Sequence, residues 1–264
     1  MRPMKHTEFR GAEIAYKIRG NGVAVVLLHG FLEDSTMWDE LTKELAETNT
    51  VIAVDLPGFG DSGMIDSNHT MKIMCDAVAA VLSHEGINKC FMVGHSMGGY
   101  VMLEFANRHQ EMLNGIVLFH SQAAADDDNT KENRNRTIKI VESNHANFIS
   151  SFIPSLFTDE NAIKYKAEID RIINQSLLTK NEGIIASLAG MRDRSDRIEL
   201  LGKLEIPVLF IAGKQDSRIP LNKIMEQITL PKLSQSLILN NVGHMGFVEA
   251  KSLTFKALKC FINN

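Results

Sequence analysis

The sequence predicts an α/β protein built on a doubly wound, mostly parallel sheet, with a helical cap inserted late in the chain. Three observations predict it. Short apolar runs alternate with segments of helical periodicity. Several of those runs are apolar on both faces, as strands of a parallel sheet covered by helices must be. Between about residues 121 and 204 the strand signals stop and only helical patterns continue. The expected division is a core of residues 1–120 and 205–264 and a cap (lid) of residues 121–204.

Taken in order, residues 5–9 and 13–18, joined by Arg10-Gly11-Ala12, read as an antiparallel hairpin at a sheet edge. The runs at 23–28, 51–54, 91–93, 115–119, 208–211 and 236–239 read as strands. Helical patterns near 37–47, 71–84, 99–109, 221–228 and 247–261 fill the intervals, the order a doubly wound sheet requires. Inside the cap, helices are expected at 138–152, 162–173 and 183–191, the last opening on Thr179-Lys180-Asn181-Glu182, which matches a capping box. The polar run DDDNTKENRNR ahead of them reads as a solvated face.

Composition narrows the partners. A chain of 264 residues fits one domain with an insertion, and a net charge of −4 leaves no basic excess to hold nucleic acid. No uninterrupted apolar run exceeds the six residues of 23–28, far short of a membrane span, and the first residues show no leader of secretory type. A soluble, cytoplasmic protein, monomer or homodimer, is expected, with no membrane partner. Cys75, Cys90 and Cys260 show neither even pairing nor metal-ligand spacing, so reduced thiols are expected. The glycine-rich PGFGDSG lacks the lysine and spacing of a phosphate loop, and Asp55 before it reads as a loop-fixing acceptor.

The stretch VGHSMGGY, residues 93–100, lies between a strand pattern and a helix pattern. In G-x-S-x-G the serine takes a strained turn, and the flanking Gly94 and Gly98 avoid collision with nearby backbone. Ser96 is thereby lifted above the carboxyl ends of the strands, at a helix N-terminus that favours a developing anion. A serine hydroxyl needs a base, and the base an orienting acid. Asp216 follows the strand 208–211, and His244 follows the next strand, so acid and base come in the order Ser, Asp, His on the same rim. Asp216 has an alternative reading as a turn or helix-capping residue. For the oxyanion hole, the backbone N–H groups of Met97 and Phe31 are the candidates. His29 and His95 are expected to bond backbone and shape the site.

VVLLHGF, DLPGFGDS, GHSMGG, GKQDSRIP and NNVGHMGFVE, in this order and at these intervals, resemble the landmarks of the α/β-hydrolase family, over nearly the whole chain. The resemblance implies a sheet of about eight strands, a cap over the site and no cofactor. It sets aside the relatives with an aspartate nucleophile, since Ser96 stands in that place. Substrate contacts are expected from Phe31, Met97, Phe148 and Phe152. His120 either lines the acyl pocket or bonds to the cap, and Ile149, Phe157, Ile172 and Leu188 face either the cap's own core or the cleft. Arg192, Arg194 and Arg197 in MRDRSDR read as a solvated charged stretch, or as partners of a substrate carboxylate or enolate. The expected activity is serine-dependent cleavage of small to medium apolar carboxylic esters. A C–C bond hydrolase or lactonase with the same triad, and a ligand-binding or signalling protein that retains the site, are the alternatives.

Overall fold

A computed structural model describes residues 4–263. Eight strands form one sheet: β1 (Lys5–Phe9), β2 (Ala12–Arg19), β3 (Val23–Leu28), β4 (Asn49–Val54), β5 (Cys90–His95), β6 (Leu113–Phe119), β7 (Val208–Gly213) and β8 (Ser234–Leu239). Their spatial order is β1-β2-β4-β3-β5-β6-β7-β8, with the hairpin β1–β2 and the β2–β4 pair antiparallel and the rest parallel. Inner strands are buried on both sides, as 24–28 of β3 and all of β7 show, because helices cover both faces.

The helices are α1 (Asp39–Leu45), α2 (Met71–His84), α3 (Met97–His109), α4 (Asp128–Phe152), α5 (Asp159–Lys164), α6 (Lys166–Ser176), α7 (Asn181–Arg192), α8 (Ile198–Lys203), α9 (Leu221–Met225), α10 (Gly246–Glu249) and α11 (Lys251–Asn263). Everything between β6 and β7 that is regular is helical. Register places the site. Leu28 lies opposite Gly94, His95 opposite Phe119, and Phe119 opposite Ile211. The residues that follow these strands therefore emerge along one rim.

Three local expectations need correction. Helix α4 begins ten residues before the expected 138, because Asp127 accepts the Thr130 N–H at 2.8 Å and caps it; residues 128–136 of the polar run form about its first two and a half turns, and none of them is buried, in keeping with the solvated face expected. The helix is interrupted at Asn144. The capping box does not form: α7 starts at Asn181 with Lys180 as N-cap, which puts Thr179 one position too far out for its hydroxyl to reach the helix. The helix expected over 247–261 is two, separated by a non-helical Ala250. Cys75 and Cys90 are buried free thiols whose pKa burial pushes up to about 12, while Cys260 is exposed. Among the described residues no helix is long and apolar enough to cross a membrane.

Candidate active site

Ser96 sits between β5 and α3 at φ 49° and ψ −114°, a conformation few non-glycine residues adopt. The neighbours leave no room for an ordinary turn. A Cβ on Gly94 would lie 2.5 Å from Gly99 N, and one on Gly98 would lie 2.6 Å from the His29 carbonyl. Ser121 donates its hydroxyl to the Ser96 carbonyl at 2.8 Å and helps hold the bend.

The rim register brings together the three residues expected from the sequence. His244 Nε2 is 2.9 Å from Ser96 Oγ, and His244 Nδ1 is 2.9 Å from Asp216 Oδ2 and 3.0 Å from Oδ1. Asp216 does not cap α9; its Oδ1 accepts the N–H groups of Arg218 and Ile219 at 2.8 and 2.9 Å in its own turn. Burial pushes the Asp216 carboxyl up, but the His244 charge and the hydrogen bonds from His120 and His244 outweigh it and hold the group well below the usual carboxylate range.

His120 corrects the sequence reading. It neither lines the cleft nor bonds to the cap, but donates from Nδ1 to Asp216 Oδ2 at 3.0 Å, fully buried and at φ 47°. The bend at the end of β6 brings its ring against Asp216 and His244. Burial lowers its pKa to about 4, so it is a neutral donor. His120, Asp216 and His244 are also the cluster with metal-ligand side chains among the described residues. Their ligating atoms are occupied by one another as hydrogen bonds.

A second buried pair lies behind the base. His95 Nε2 donates to the His244 carbonyl at 3.1 Å, and its Nδ1 is 2.8 Å from Glu33 Oε2, which also accepts the Gly30 N–H at 2.6 Å. Because a carbonyl only accepts, Nε2 carries a proton, and the Nδ1 contact is that of an imidazolium with a carboxylate. The pair joins the Gly30–Glu33 loop to the His244 loop, where the His244 N–H is held by the Leu156 carbonyl at 2.7 Å. His29 accepts the Leu56 N–H at 2.9 Å, so both histidines shape loops as expected. Asp55 likewise fixes its loop through Ser35 N and Asp61 N.

The pair makes stability depend on pH. Burial pushes the Glu33 carboxyl up from 4.5, but the His95 charge and hydrogen bonds bring it below that value. Burial pushes His95 down from 6.5, but Glu33 raises it above that value. The Glu33 contribution is present above about 4.5 and lost as pH falls through its depressed pKa; that of His95 is present below about 6.5 and lost as pH rises through its raised one. The Tm difference between wild type and Glu33→Gln is therefore expected to be greatest between pH 4.5 and 6.5 and to shrink on both sides. A difference that stays the same from well below pH 4.5 to well above pH 6.5 would show that the pair is uncharged.

The cleft above Ser96 has a volume of about 320 Å³. Phe31, Phe148 and Phe152 line it as expected, their rings 5.1–6.5 Å apart, and Leu156, Leu188, Met191 and Ile219 extend this apolar wall. Met97 is fully buried and does not line the cleft, so the side-chain contact expected of it is not found: its side chain packs in the core at the start of α3. Among the described residues the N–H groups of Phe31 and Met97 donate to no protein acceptor. Ile149, Phe157 and Ile172 are buried in the core. The arginines of MRDRSDR do not line the cleft. Arg194 is buried against Asp126 and over Tyr100, Arg197 pairs with Glu104, and Arg192 with Asp193. The cleft's cations are instead Arg134 and Arg218. Sequence reading also missed Thr130, Asn133 and Thr137 on its wall. Their spacing is a helical stripe, legible once Asp127 is seen as an N-cap.

Residues 23–251 match the model of the alpha/beta hydrolase fold family. The chain belongs to the alpha/beta hydrolase fold family. Within it, a thermophilic esterase of Thermogutta terrifontis, solved with malate bound, is 30% identical and superposes with a TM-score of 0.93 over 99% of this chain and 98% of that one. A 2-hydroxy-6-oxo-6-(2'-aminophenyl)hexa-2,4-dienoic acid hydrolase of Metapseudomonas resinovorans is 26% identical over 90% of this chain and 83% of its own. An uncharacterized protein of Mycobacterium tuberculosis is 32% identical over 45% of this chain, which spans only 35% of that relative's length.

Proposed function

We propose that the protein is a serine hydrolase that cleaves carboxylic esters of small to medium size through an acyl-enzyme on Ser96. The observation that carries this reading is the continuous chain from Ser96 Oγ through His244 to Asp216, with both links at 2.9 Å. Ser96 Oγ bonds to the ester carbonyl carbon as His244 Nε2 takes its proton. The N–H groups of Met97 and Phe31 receive the oxyanion. When the tetrahedral species collapses, the C–O bond to the alcohol breaks and His244 returns the proton to the leaving oxygen. Water, deprotonated by His244, then releases the acid. A cleft of about 320 Å³ is at the small end for ligand sites, in keeping with a short acyl or alcohol group.

The likeness to the dienoic acid hydrolase favours a second reading, C–C bond hydrolysis with the same three residues. Steady-state hydrolysis of p-nitrophenyl esters from acetate to decanoate, with peptide mapping after fluorophosphonate labelling, separates the two. Turnover greatest for short to medium chains, with the label on the peptide carrying Ser96, is the expected result. A folded protein that takes the label but turns over no ester would move the assignment to the C–C hydrolase, and a label on another residue would overturn both.

A further inference from the structure

We propose that Arg218 forms a carboxylate subsite in the cleft, and that the substrate is an ester carrying a second, anionic carboxylate, such as a mono-ester of a dicarboxylic acid. This rests on the ester-hydrolase reading above. Arg218 stands two residues after Asp216, and its backbone N–H donates to that carboxylate at 2.8 Å, which ties its position to the triad. Its side chain lines the same cleft as Ser96 and His244. The guanidinium lies 4.6 Å over the Phe152 ring, and Nη2 donates to Ser155 Oγ at 2.5 Å. Stacking and one hydrogen bond thus fix the plane of the fork.

What the fork lacks is an acid. Among the described residues no carboxylate lies within 4.0 Å of it, and its Nε and Nη1 donate to no protein acceptor. The other cleft arginine is different: Arg134 gives Nε and Nη2 to Asp126 and directs Nη1 at Met191 Sδ. The acidic residue lining the cleft, Glu33, is held by His95. Arg218 is therefore a positioned cation with its countercharge missing. Arg218 is exposed at the cleft, so its free N–H groups are open to an incoming anion. A planar, half-satisfied guanidinium is matched by a carboxylate, which accepts two parallel N–H bonds. The wall of Thr130, Asn133 and Thr137 offers further polar partners, which a wholly aliphatic substrate would leave unused.

Two measurements test this. The first is kcat/KM for mono-p-nitrophenyl adipate relative to its neutral isostere, p-nitrophenyl 6-methylheptanoate, in wild type, Arg218→Gln and Arg218→Lys. The second is calorimetric binding of adipate to the same three proteins, with thermal melts to establish folding. Wild type is expected to prefer the anionic ester. In Arg218→Gln the ratio and the adipate affinity should each fall about 10- to 100-fold, and lysine should restore part of both. A wild type that prefers the neutral ester, or a ratio unchanged in Arg218→Gln, overturns the subsite. If wild type turns over neither ester, the ester reading falls by itself. The adipate titration then decides the subsite: weaker binding by Arg218→Gln supports it, and equal or absent binding by both proteins overturns it.

Discussion

Replacing Ser96 with alanine is expected to lower kcat for p-nitrophenyl butanoate by about 10⁶-fold, the loss seen when a serine nucleophile is removed from an intact triad. The hydroxyl is the atom within 2.9 Å of His244 Nε2, so its removal leaves the base facing nothing it can activate for acyl transfer. The oxyanion N–H groups would still bind the carbonyl and sustain a residual rate above that of water. A companion variant tests whether the turn is strained for this purpose. At φ 49° and ψ −114° the serine occupies a backbone region that costs about 1–3 kcal/mol for a side chain bearing a Cβ. Ser96→Ala keeps that cost and Ser96→Gly relieves it. Both variants should be inactive, with the glycine protein melting a few degrees higher; a change of 1 kcal/mol corresponds to about 2–4 °C in a chain of this size. Retained turnover in the alanine variant would mean that another nucleophile does the work. A glycine variant that melts lower than the alanine one would mean that the elbow is not strained.

The legible parts of this fold are those where one segment decides its own state. The strand segments 24–28, 115–119 and 208–213 lie buried between helices, so their composition alone marks them. The order of these strands places Ser96, Asp216 and His244 at strand ends, where α/β sheets present side chains, and that is why their meeting was readable. Pairings between distant segments were not. His120 meets Asp216 across 96 positions and His95 meets Glu33 across 62, and nothing near either histidine in the chain announces the partner. The polar face of α4 is legible only in part, for a different reason. A stripe of Thr, Asn and Arg looks solvated when its helix is not recognised, and here it faces the cleft. The arginines of MRDRSDR are conspicuous as a cluster, yet each is held by a carboxylate. The unpaired cation, Arg218, was inconspicuous because it stands alone.

Asp216→Asn is expected to lower kcat by about 10⁴-fold, and here the reason involves more than the catalytic histidine. The carboxylate accepts from four donors: His244 Nδ1, His120 Nδ1, and the N–H groups of Arg218 and Ile219. An asparagine has one accepting oxygen. If that oxygen turns toward the two backbone N–H groups, the amide N–H₂ faces both histidines. His244 must then present its lone pair at Nδ1 and carry its proton on Nε2, the tautomer that cannot take a proton from Ser96. If it turns the other way, the buried Ile219 N–H and the part-buried Arg218 N–H are left facing a donor, which costs about 1–3 kcal/mol for the buried one, so the protein should also melt lower. His120→Phe isolates one of the four. It removes a neutral donor, since the pKa of His120 is held near 4, and leaves the remaining three in place. Its kcat should fall only about 10- to 100-fold, because Asp216, held well below the usual carboxylate range, keeps its charge and three of its four donors. His120→Asn serves as the control. Asparagine tolerates the φ of 47° and retains a donor, so it should recover part of the rate if the hydrogen bond matters and none if only ring packing matters. No recovery in His120→Asn, with the rate of His120→Phe lost only through poorer folding, would reduce His120 to a packing residue and leave Asp216 held by three donors.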